Sequence, residues 1–156
     1  RIIKKNDNIS LRLAPLQFKE AHFSLYLAYQ SARHRGDGMD DSDPVKYQQF
    51  MTNSEIDSFM MELRDGDRLL AVSVLDRVVD GLSAVYTFFE PAEDHRSLGT
   101  LAILRQIDLA LSAGHDYLYL GYWISDCSKM SYKERFSPLE EFDTNAQLWL
   151  LHPSVR

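Results

Sequence analysis

The segment Arg96-Ser97-Leu98-Gly99 has the residue types of an anion-binding loop at the start of a helix. It precedes a long apolar stretch, and the first N–H groups of a helix are unpaired donors at the positive end of its dipole. Arg96 adds a cation, and Gly99 lets a ligand approach the backbone closely. An alternative stays open, in which Ser97 is an ordinary N-cap and Gly99 is needed for helix packing.

Two further cations, Arg33 and His34, follow a predicted helix and could hold a carboxylate. A guanidinium forms two parallel hydrogen bonds with a carboxylate, which makes arginine the preferred partner. Arg96 and Arg135 are additional candidates for the same task. Taken alone, Arg33 and His34 are more typical of a helix C-terminus, where the helix dipole stabilises cations.

Two residues of the predicted strands, Asp76 and Tyr86, could accept or relay a proton. Asp76 interrupts an apolar strand, which is costly unless the carboxylate is exposed or paired. Alternatively, Asp76 faces solvent, because every second residue of a strand is often solvent-exposed.

The composition excludes several classes of protein. The chain has 156 residues, a single cysteine and a formal net charge of −6, with 17 Lys and Arg against 23 Asp and Glu. One cysteine excludes an internal disulfide and a cysteine-rich zinc site, which favours a reducing, cytoplasmic setting. No apolar run approaches the roughly 20 residues of a membrane helix. The chain begins with Arg1 rather than Met, and we interpret it as part of a longer protein.

The elements that must position these residues are predicted to be two helices followed by an antiparallel meander. Apolar residues at steps of three and four predict a helix over Leu16–Ala32. Asp43-Pro44 is typical of the N-cap and first residue of a second helix, which we expect to reach about Thr52. Asp-Gly turns join three predicted strands, which cover residues 59–63, 69–79 and 82–89.

The second half of the chain predicts a long helix and two more strands. Ser97–Ala113 has only a narrow polar stripe, which indicates a largely buried helix, and Gly114 is its expected C-cap. Tyr117–Ile124 is so apolar that we predict a central strand. A turn at Lys129–Glu134 and a final strand near Ala146–Leu151 follow.

This order of elements resembles a GNAT-type acyltransferase domain, and we predict a single α+β domain over residues 1–156. Its sheet would be mostly antiparallel, mixed and flanked by helices. In that fold the loop before the long helix binds a ligand, and an acyl-CoA loop reads Arg/Gln-x-x-Gly-x-Gly/Ala. Arg96 and Gly99 fit this pattern, but Leu101 occupies the second small position. The loop therefore predicts an anion site that need not bind CoA.

Several longer strings resemble one family closely. They are Tyr29–His34 with Gly38-Met39, Leu82–Phe89, Arg96–Thr100, Tyr119–Ile124, and the stretch from Cys127 to Phe136. In this order, over about Phe18 to Glu140, they resemble the C-terminal domain of arginyl-tRNA–protein transferases. The bacterial branch of that family is described as aspartate/glutamate leucyltransferase. The tail after Glu141 matches nothing in the family pattern, so it receives no role.

The resemblance implies an enzyme of the N-degron pathway. It would move leucine, or arginine, from its tRNA to the α-amine of proteins that begin with Asp or Glu. It implies no metal and no cofactor, and it implies a cysteine-containing N-terminal domain that this chain lacks. An α-amine has an unperturbed pKa of roughly 7.7 to 8.0, so a useful fraction is already neutral near pH 7. Positioning and oxyanion stabilisation would then be the main tasks of the site.

The resemblance also assigns roles. Arg33 and His34 would hold the acceptor carboxylate, and Asp76 and Tyr86 would position its amine. The anionic end of the aminoacyl-tRNA would bind at the start of the long helix and in an aromatic pocket. The candidate residues for this binding are Arg96, Ser97, Leu98, Gly99, Ser83, Tyr122, Lys133 and Arg135. Aromatic faces suit an adenine at the tRNA end, and the basic residues suit its phosphates.

Two other functions stay open. One is a CoA-dependent N-acetyltransferase on the same fold, against which Leu101 argues. The other is a non-enzymatic adaptor that captures acidic N-termini without modifying them. The sequence leaves the choice between a leucyl and an arginyl donor open as well, because that choice depends on the directions of the pocket side chains.

Overall fold

The computed structural model describes residues 1–33, 42–124 and 126–153. It divides into two compact units, Arg1–Tyr119 and Leu120–Arg156, and each unit is described by itself. The single domain expected over the whole chain therefore stays a prediction. No helix in the described part of the chain is long and apolar enough to cross a membrane.

The first unit contains a five-stranded sheet in the order β1-β2-β3-β4-β5. The strands are β1 (Ile9–Pro15), β2 (Ser58–Asp65), β3 (Arg68–Val78), β4 (Gly81–Phe89) and β5 (Tyr117–Tyr119). Strands β1 to β4 pair antiparallel, and β5 pairs parallel to β4 over three residues. The predicted meander is confirmed as β2, β3 and β4, and Gly66 has the positive φ of 58° expected at the first turn.

Gly81 is required for the pairing of β4 with β5. A Cβ atom at this position would lie 2.3 Å from the backbone oxygen of Tyr117, its partner in the parallel ladder. Real Cβ atoms do not approach a carbonyl oxygen so closely, so any side chain here would push β5 away from β4. Glycine at the second Asp-Gly turn is therefore explained by a close approach between two strands.

Gly81→Ala should destabilise the chain by about 1–3 kcal/mol, in the range of other overpacked sites. Gly66→Ala is the control, because open space surrounds Gly66 and its cost is limited to the strained φ. We expect faster amide hydrogen exchange at Tyr117–Tyr119 in the Gly81 variant alone. Equal exchange rates in both variants would contradict this explanation.

Helices cover both faces of the sheet. The helices are α1 (Ile2–Lys5), α2 (Glu20–Arg33), α3 (Pro44–Met51) and α4 (Leu98–Ser112). The α2 and α3 side chains pack against Val72 and Val74, whereas α4 packs against Ala71 and Leu75. Since neighbouring residues of a strand point to opposite faces, α4 lies across the sheet from α2 and α3. The largest apolar groups on the α2 side are aromatic rings, and those on the α4 side are mainly leucines.

Two helix-end predictions are confirmed. Asp43 is the N-cap of α3, since its Oδ1 accepts a hydrogen bond from the Val45 N–H at 2.9 Å, and Pro44 is the first helical residue. Helix α4 ends at Ser112 with Ala113 as its C-cap, and Gly114 comes directly after this cap with the left-handed φ of 76° that ends the helix. The N–H groups of Gly114 and His115 donate to the helix carbonyls of Leu111 and Ala110, which is the Schellman arrangement.

Two predicted elements have wrong bounds, and one strand was not predicted. Helix α2 begins at Glu20 rather than Leu16, and β1 has no counterpart among the predicted strands. The strand predicted over Tyr117–Ile124 covers only Tyr117–Tyr119 and lies at the end of the sheet order instead of its centre. High apolar content does not distinguish a central strand from a short strand at the edge of a sheet.

The second unit contains a 3₁₀ turn and a hairpin. The turn is Ser131–Arg135, close to the predicted turn, and the hairpin strands are β6 (Glu140–Asp143) and β7 (Leu148–Leu151). β7 confirms the final strand expected near Ala146–Leu151, and its partner β6 was not predicted. Four consecutive apolar residues of β7 are exposed.

Candidate functional site

Arg33 lies at the end of α2 against two aromatic rings. Its guanidinium carbon is 5.4 Å from the ring centroid of Tyr29 and 4.9 Å from that of Phe89. Both distances are within the range of a cation–π contact. Arg33 itself is exposed, and none of the acidic side chains in the described ranges forms an ion pair with it. The rings therefore fix the direction of a guanidinium whose N–H edges stay accessible to a carboxylate.

Three tyrosines form a group next to this arginine, and Tyr29 is the one whose ring contacts it. The rings of Tyr26 and Tyr29 come from α2, and Tyr86 comes from β4, with its ring centroid 6.4 Å from that of Tyr26. Burial and, to a smaller extent, the neighbouring Tyr29 and Tyr26 raise the pKa of Tyr86 to about 12, against an opposing effect of Arg33. Tyr86 therefore keeps its proton near neutral pH and can donate a hydrogen bond. Tyr26, Tyr29, Gln30, Arg33, Tyr86 and Phe89 are called the Arg33 cluster below.

Phe89 connects the Arg33 cluster with the start of α4. A Cβ atom on Gly99 would lie 3.1 Å from Cε1 of the Phe89 ring, which is tighter than an ordinary contact. The same ring lies against Tyr29, with centroids 4.9 Å apart. Arg33 and Gly99, which are 66 positions apart in the sequence, therefore pack against the same ring, that of Phe89. The contact also supports the packing alternative for Gly99.

Arg96 is already bound to acidic side chains. Its guanidinium donates to Asp65 Oδ2 at 2.9 Å and to Glu93 Oε2 at 2.9 Å. A longer contact of 3.4 Å joins it to Asn8 Oδ1. These bonds connect the 3₁₀ turn Pro91–Arg96 to the β2–β3 hairpin, so an incoming anion would have to compete with two carboxylates. The anion-binding role of Arg96 stays a prediction.

Ser97 and Leu98, which follow Arg96, were both candidates for binding the tRNA end. Ser97 has a left-handed φ of 55° and makes no side-chain capping bond, so the N-cap bond considered for Ser97 is absent. Leu98 is 1% exposed, and its side chain belongs to the apolar core on the α4 side. Any contact of Leu98 with a ligand would therefore involve its backbone. The first turn of α4 has no side-chain cap for its N–H groups.

Asp76 and Ser83 are cross-strand partners on β3 and β4. Ser58 Oγ donates a hydrogen bond of 2.5 Å to Asp76 Oδ1, so the carboxylate is half-buried and paired rather than solvated. Two residues earlier on β3, Val74 pairs with Tyr86, and a one-residue bulge in β4 separates this pair from that of Leu75 with Ala84. Asp76 and Tyr86 therefore lie on the same face, in pairs that are two residues apart on β3.

In the second unit the structure brings Tyr122 and Lys133 together. The Lys133 ammonium is buried and donates a hydrogen bond to the backbone oxygen of Tyr122, and burial lowers the pKa of Lys133. The Tyr122 side chain is 91% exposed, and Arg135 is exposed as well. His34 lies outside the described residues. No role assigned to these four residues is tested by the structure, and each stays a prediction.

Sequence reasoning missed a buried charged network beneath α2. Glu62, on β2, accepts hydrogen bonds from His22 at 2.6 Å, Arg64 at 2.7 Å and Lys19 at 3.1 Å. Burial alone would raise the pKa of Glu62, but the bonds from Arg64, His22 and Lys19 outweigh it and lower the pKa to about 2. Burial also lowers the pKa of His22. The sequence signal for this network was the glutamate within the apolar run of β2, because burying a glutamate without a partner is costly.

The described residues contain no group of three or more histidine, cysteine, aspartate or glutamate side chains able to hold a metal ion. The Arg33 cluster itself consists of aromatic rings, phenols, an amide and a guanidinium. Such groups can bind a carboxylate and donate hydrogen bonds to a developing oxyanion.

The fold resembles that of a solved acetyltransferase. The crystal structure of the ribosomal-protein-S18-alanine N-acetyltransferase from Escherichia coli superposes with a TM-score of 0.58 and 15% sequence identity. The match covers 85% of this chain and 79% of that chain. At this identity the match concerns the fold alone, and it confirms the GNAT-like fold that the order of elements predicts.

Curated relatives are much closer in sequence. Aspartate/glutamate leucyltransferases from Thiobacillus denitrificans and Chromobacterium violaceum are 49% and 44% identical over 140 residues, which cover 90% of this chain and 58% of theirs. A third, from Alkalilimnicola ehrlichii, is 45% identical over 151 residues, covering 96% of this chain and 62% of its own. The chain thus spans about three fifths of the length of these relatives.

A family model covers most of the same stretch. Residues 21–143 match the model described as arginine-tRNA-protein transferase, C terminus. These residues run from α2 to the end of β6 and include the whole Arg33 cluster, in agreement with the resemblance of the sequence strings. The chain therefore belongs to the arginine-tRNA-protein transferase family, as its C-terminal part.

Proposed function

We propose that this chain is the transferase part of an aminoacyl-tRNA–protein transferase. It moves leucine, or arginine as the family alternative, from its tRNA to the α-amine of proteins with N-terminal Asp or Glu. The observation that carries this proposal is the position of Arg33, held by the rings of Tyr29 and Phe89 beside Tyr86. The names of the relatives support the same acceptors, since they are aspartate/glutamate leucyltransferases.

In this proposal the acceptor binds through its side-chain carboxylate. Arg33 forms the paired hydrogen bonds, and His34, the next residue in the sequence, is the candidate for a second donor. The neutral amine attacks the ester carbonyl, and the Tyr86 hydroxyl donates to the oxyanion, a role consistent with its raised pKa of about 12. Asp76, joined to Ser58 and next to Ser83, is the candidate for relaying the amine proton.

The end of the tRNA that carries the aminoacyl group requires a separate binding surface. The uncapped first turn of α4 at Ser97, Leu98 and Gly99 offers backbone N–H groups to a phosphate, and Phe89 places this turn next to the Arg33 cluster. Ser83 is the further candidate of the first unit, and Arg96 would contribute only after exchanging its carboxylate partners. Tyr122, Lys133 and Arg135 are the candidates of the second unit.

We also propose that the relatives' additional length corresponds to an N-terminal domain with several cysteines. A net charge of −6 gives this chain little general attraction for RNA, so the additional domain would supply much of the tRNA affinity. Charged tRNA is a cytoplasmic substrate, which makes the cytoplasm the proposed location.

A mass measurement tests the proposal. The full-length protein is incubated with leucyl-tRNA and a peptide that begins with Asp, and a mass increase of one leucyl residue is expected. A parallel reaction receives arginyl-tRNA, and a third receives acetyl-CoA without tRNA. Acetylation in the third reaction would overturn the proposal in favour of an N-acetyltransferase. Binding without any change of mass would favour an adaptor.

A further inference from the structure

Gln30 carries an amide whose hydrogen bonding is incomplete. Its Nε2 donates to the Tyr26 hydroxyl at 2.7 Å, whereas its Oε1 is buried and has no hydrogen-bond partner within the described residues. Buried polar atoms in proteins nearly always have a partner, so an exception calls for an explanation. A ligand that donates a hydrogen bond at this point would provide one.

The position of Gln30 relates it to the carboxylate site. It lies three residues before Arg33 on α2, and residues at this spacing are neighbours on one side of a helix, about 5–6 Å apart at Cβ. The Tyr26 hydroxyl that holds its amide belongs to the same cluster, beside the Tyr86 ring. The free amide oxygen therefore lies close to the place where the acceptor carboxylate would meet Arg33.

The chemistry of the two groups is complementary to an acidic N-terminus. Such a residue carries a carboxylate, which only a donor can bind, and within a few bonds of it an amine, whose N–H groups need an acceptor. Arg33 is a donor without acceptor capacity, and Gln30 Oε1 is an acceptor. A neutral amide oxygen also leaves the amine free to lose its proton, whereas a carboxylate would stabilise the ammonium.

We propose that Gln30 Oε1 accepts a hydrogen bond from the α-amine of the acceptor and orients that amine for attack. This inference rests on the proposed function and adds a second point of substrate recognition. In the reaction, the amine nitrogen bonds to the ester carbonyl carbon, and the bond from that carbon to the ribose oxygen breaks. One amine proton passes to the ribose oxygen, so the products are an amide and a free ribose hydroxyl.

A binding experiment separates amine recognition from carboxylate recognition. Calorimetry on the full-length protein compares a peptide that begins with Asp with its N-acetylated form and with the Asn analogue. Gln30→Met keeps the length of the side chain but removes the acceptor. It should weaken binding of the free-amine Asp peptide by about tenfold, the effect of one lost hydrogen bond. Gln30→Met should bind the acetylated peptide as tightly as the wild-type protein binds it. Gln49→Met, at an exposed position of α3, is the matched control.

The two possible failures are distinguishable. If the wild-type protein does not prefer Asp over Asn, the proposed function itself fails at its carboxylate site. If that preference holds but Gln30→Met binds the free-amine peptide as tightly as wild type does, only the role of Gln30 is overturned.

A second variant covers the case in which Gln30→Met does not fold. Gln30→Glu places a carboxylate beside the amine and should raise the amine pKa in the complex. The rising limb of the kcat–pH profile should then move to higher pH, because a larger share of the amine is protonated at a given pH. A purely structural role for Gln30 would lower stability without moving the profile. An unmoved profile in active Gln30→Glu would overturn the proposal.

Discussion

Arg33→Ala should lower kcat/KM for transfer to a peptide that begins with Asp by about 100-fold. Removing one partner of a desolvated charge pair commonly costs about 2–5 kcal/mol, because the other charge is left without a partner. The guanidinium is held over the rings of Tyr29 and Phe89 before any substrate arrives, so little ordering is needed on binding. Steady-state kinetics with Asp and Asn peptides measure the effect, and the variant should lose most of its preference for Asp.

Two variants control this result. Arg33→Lys keeps the charge but loses the fork-shaped pair of donors, and an intermediate loss is expected. Arg77→Ala removes another arginine that packs on a ring, at 4.1 Å from the Phe59 centroid, and that pairs with Asp57 at the surface. It should leave transfer unchanged. An unaltered Asp preference in Arg33→Ala would show that Arg33 is only a cation at the end of a helix.

Glu62→Gln should remove about 3 kcal/mol of stability at neutral pH. The carboxylate is 4% exposed and has a pKa of about 2 against an ordinary value of 4.5. A difference of this size corresponds to about 3 kcal/mol by linkage. The bonds from Arg64, His22 and Lys19 are the cause of the lowered pKa, so this figure already includes the loss of their charged partner. Urea unfolding at pH 7 gives the change in the free energy of unfolding.

The pH dependence of stability gives an independent check. Because the folded pKa of Glu62 is depressed, its contribution is present above about pH 4.5 and is lost as the pH falls towards 2. His22, whose pKa is also lowered, acts in the same direction, since it must gain a proton as the protein unfolds in acid. Glu62→Gln should flatten this acid decline, whereas the exposed Glu55→Gln should not. A wild-type curve that is flat between pH 6 and 3 would contradict the prediction.

The predictions that held depend on neighbouring residues. Asp43 caps the helix that starts at Pro44, and the Gly66 turn joins two strands next to it in the sequence. The family strings are also local patterns, and they led to the Arg33–Tyr86 region before any distance was known. The failures occurred where a distant partner decides, as at β1, in which Ile9 pairs with Asp65 of β2, 56 positions away.

Residues close together in the sequence predicted the family, the meander, the start of α3 and the end of α4, and they made Arg33 a candidate for binding the acceptor carboxylate. Three features could be found only in the folded chain: Phe89 packs against both Arg33 and Gly99, Glu62 is buried against Arg64, Lys19 and His22, and Gln30 Oε1 has no hydrogen-bond partner among the described residues. The physical reason is the range of the interactions. Caps and turns are formed within a few residues, whereas strand register and helix packing set contacts between residues far apart, and these contacts assign each polar atom its partner.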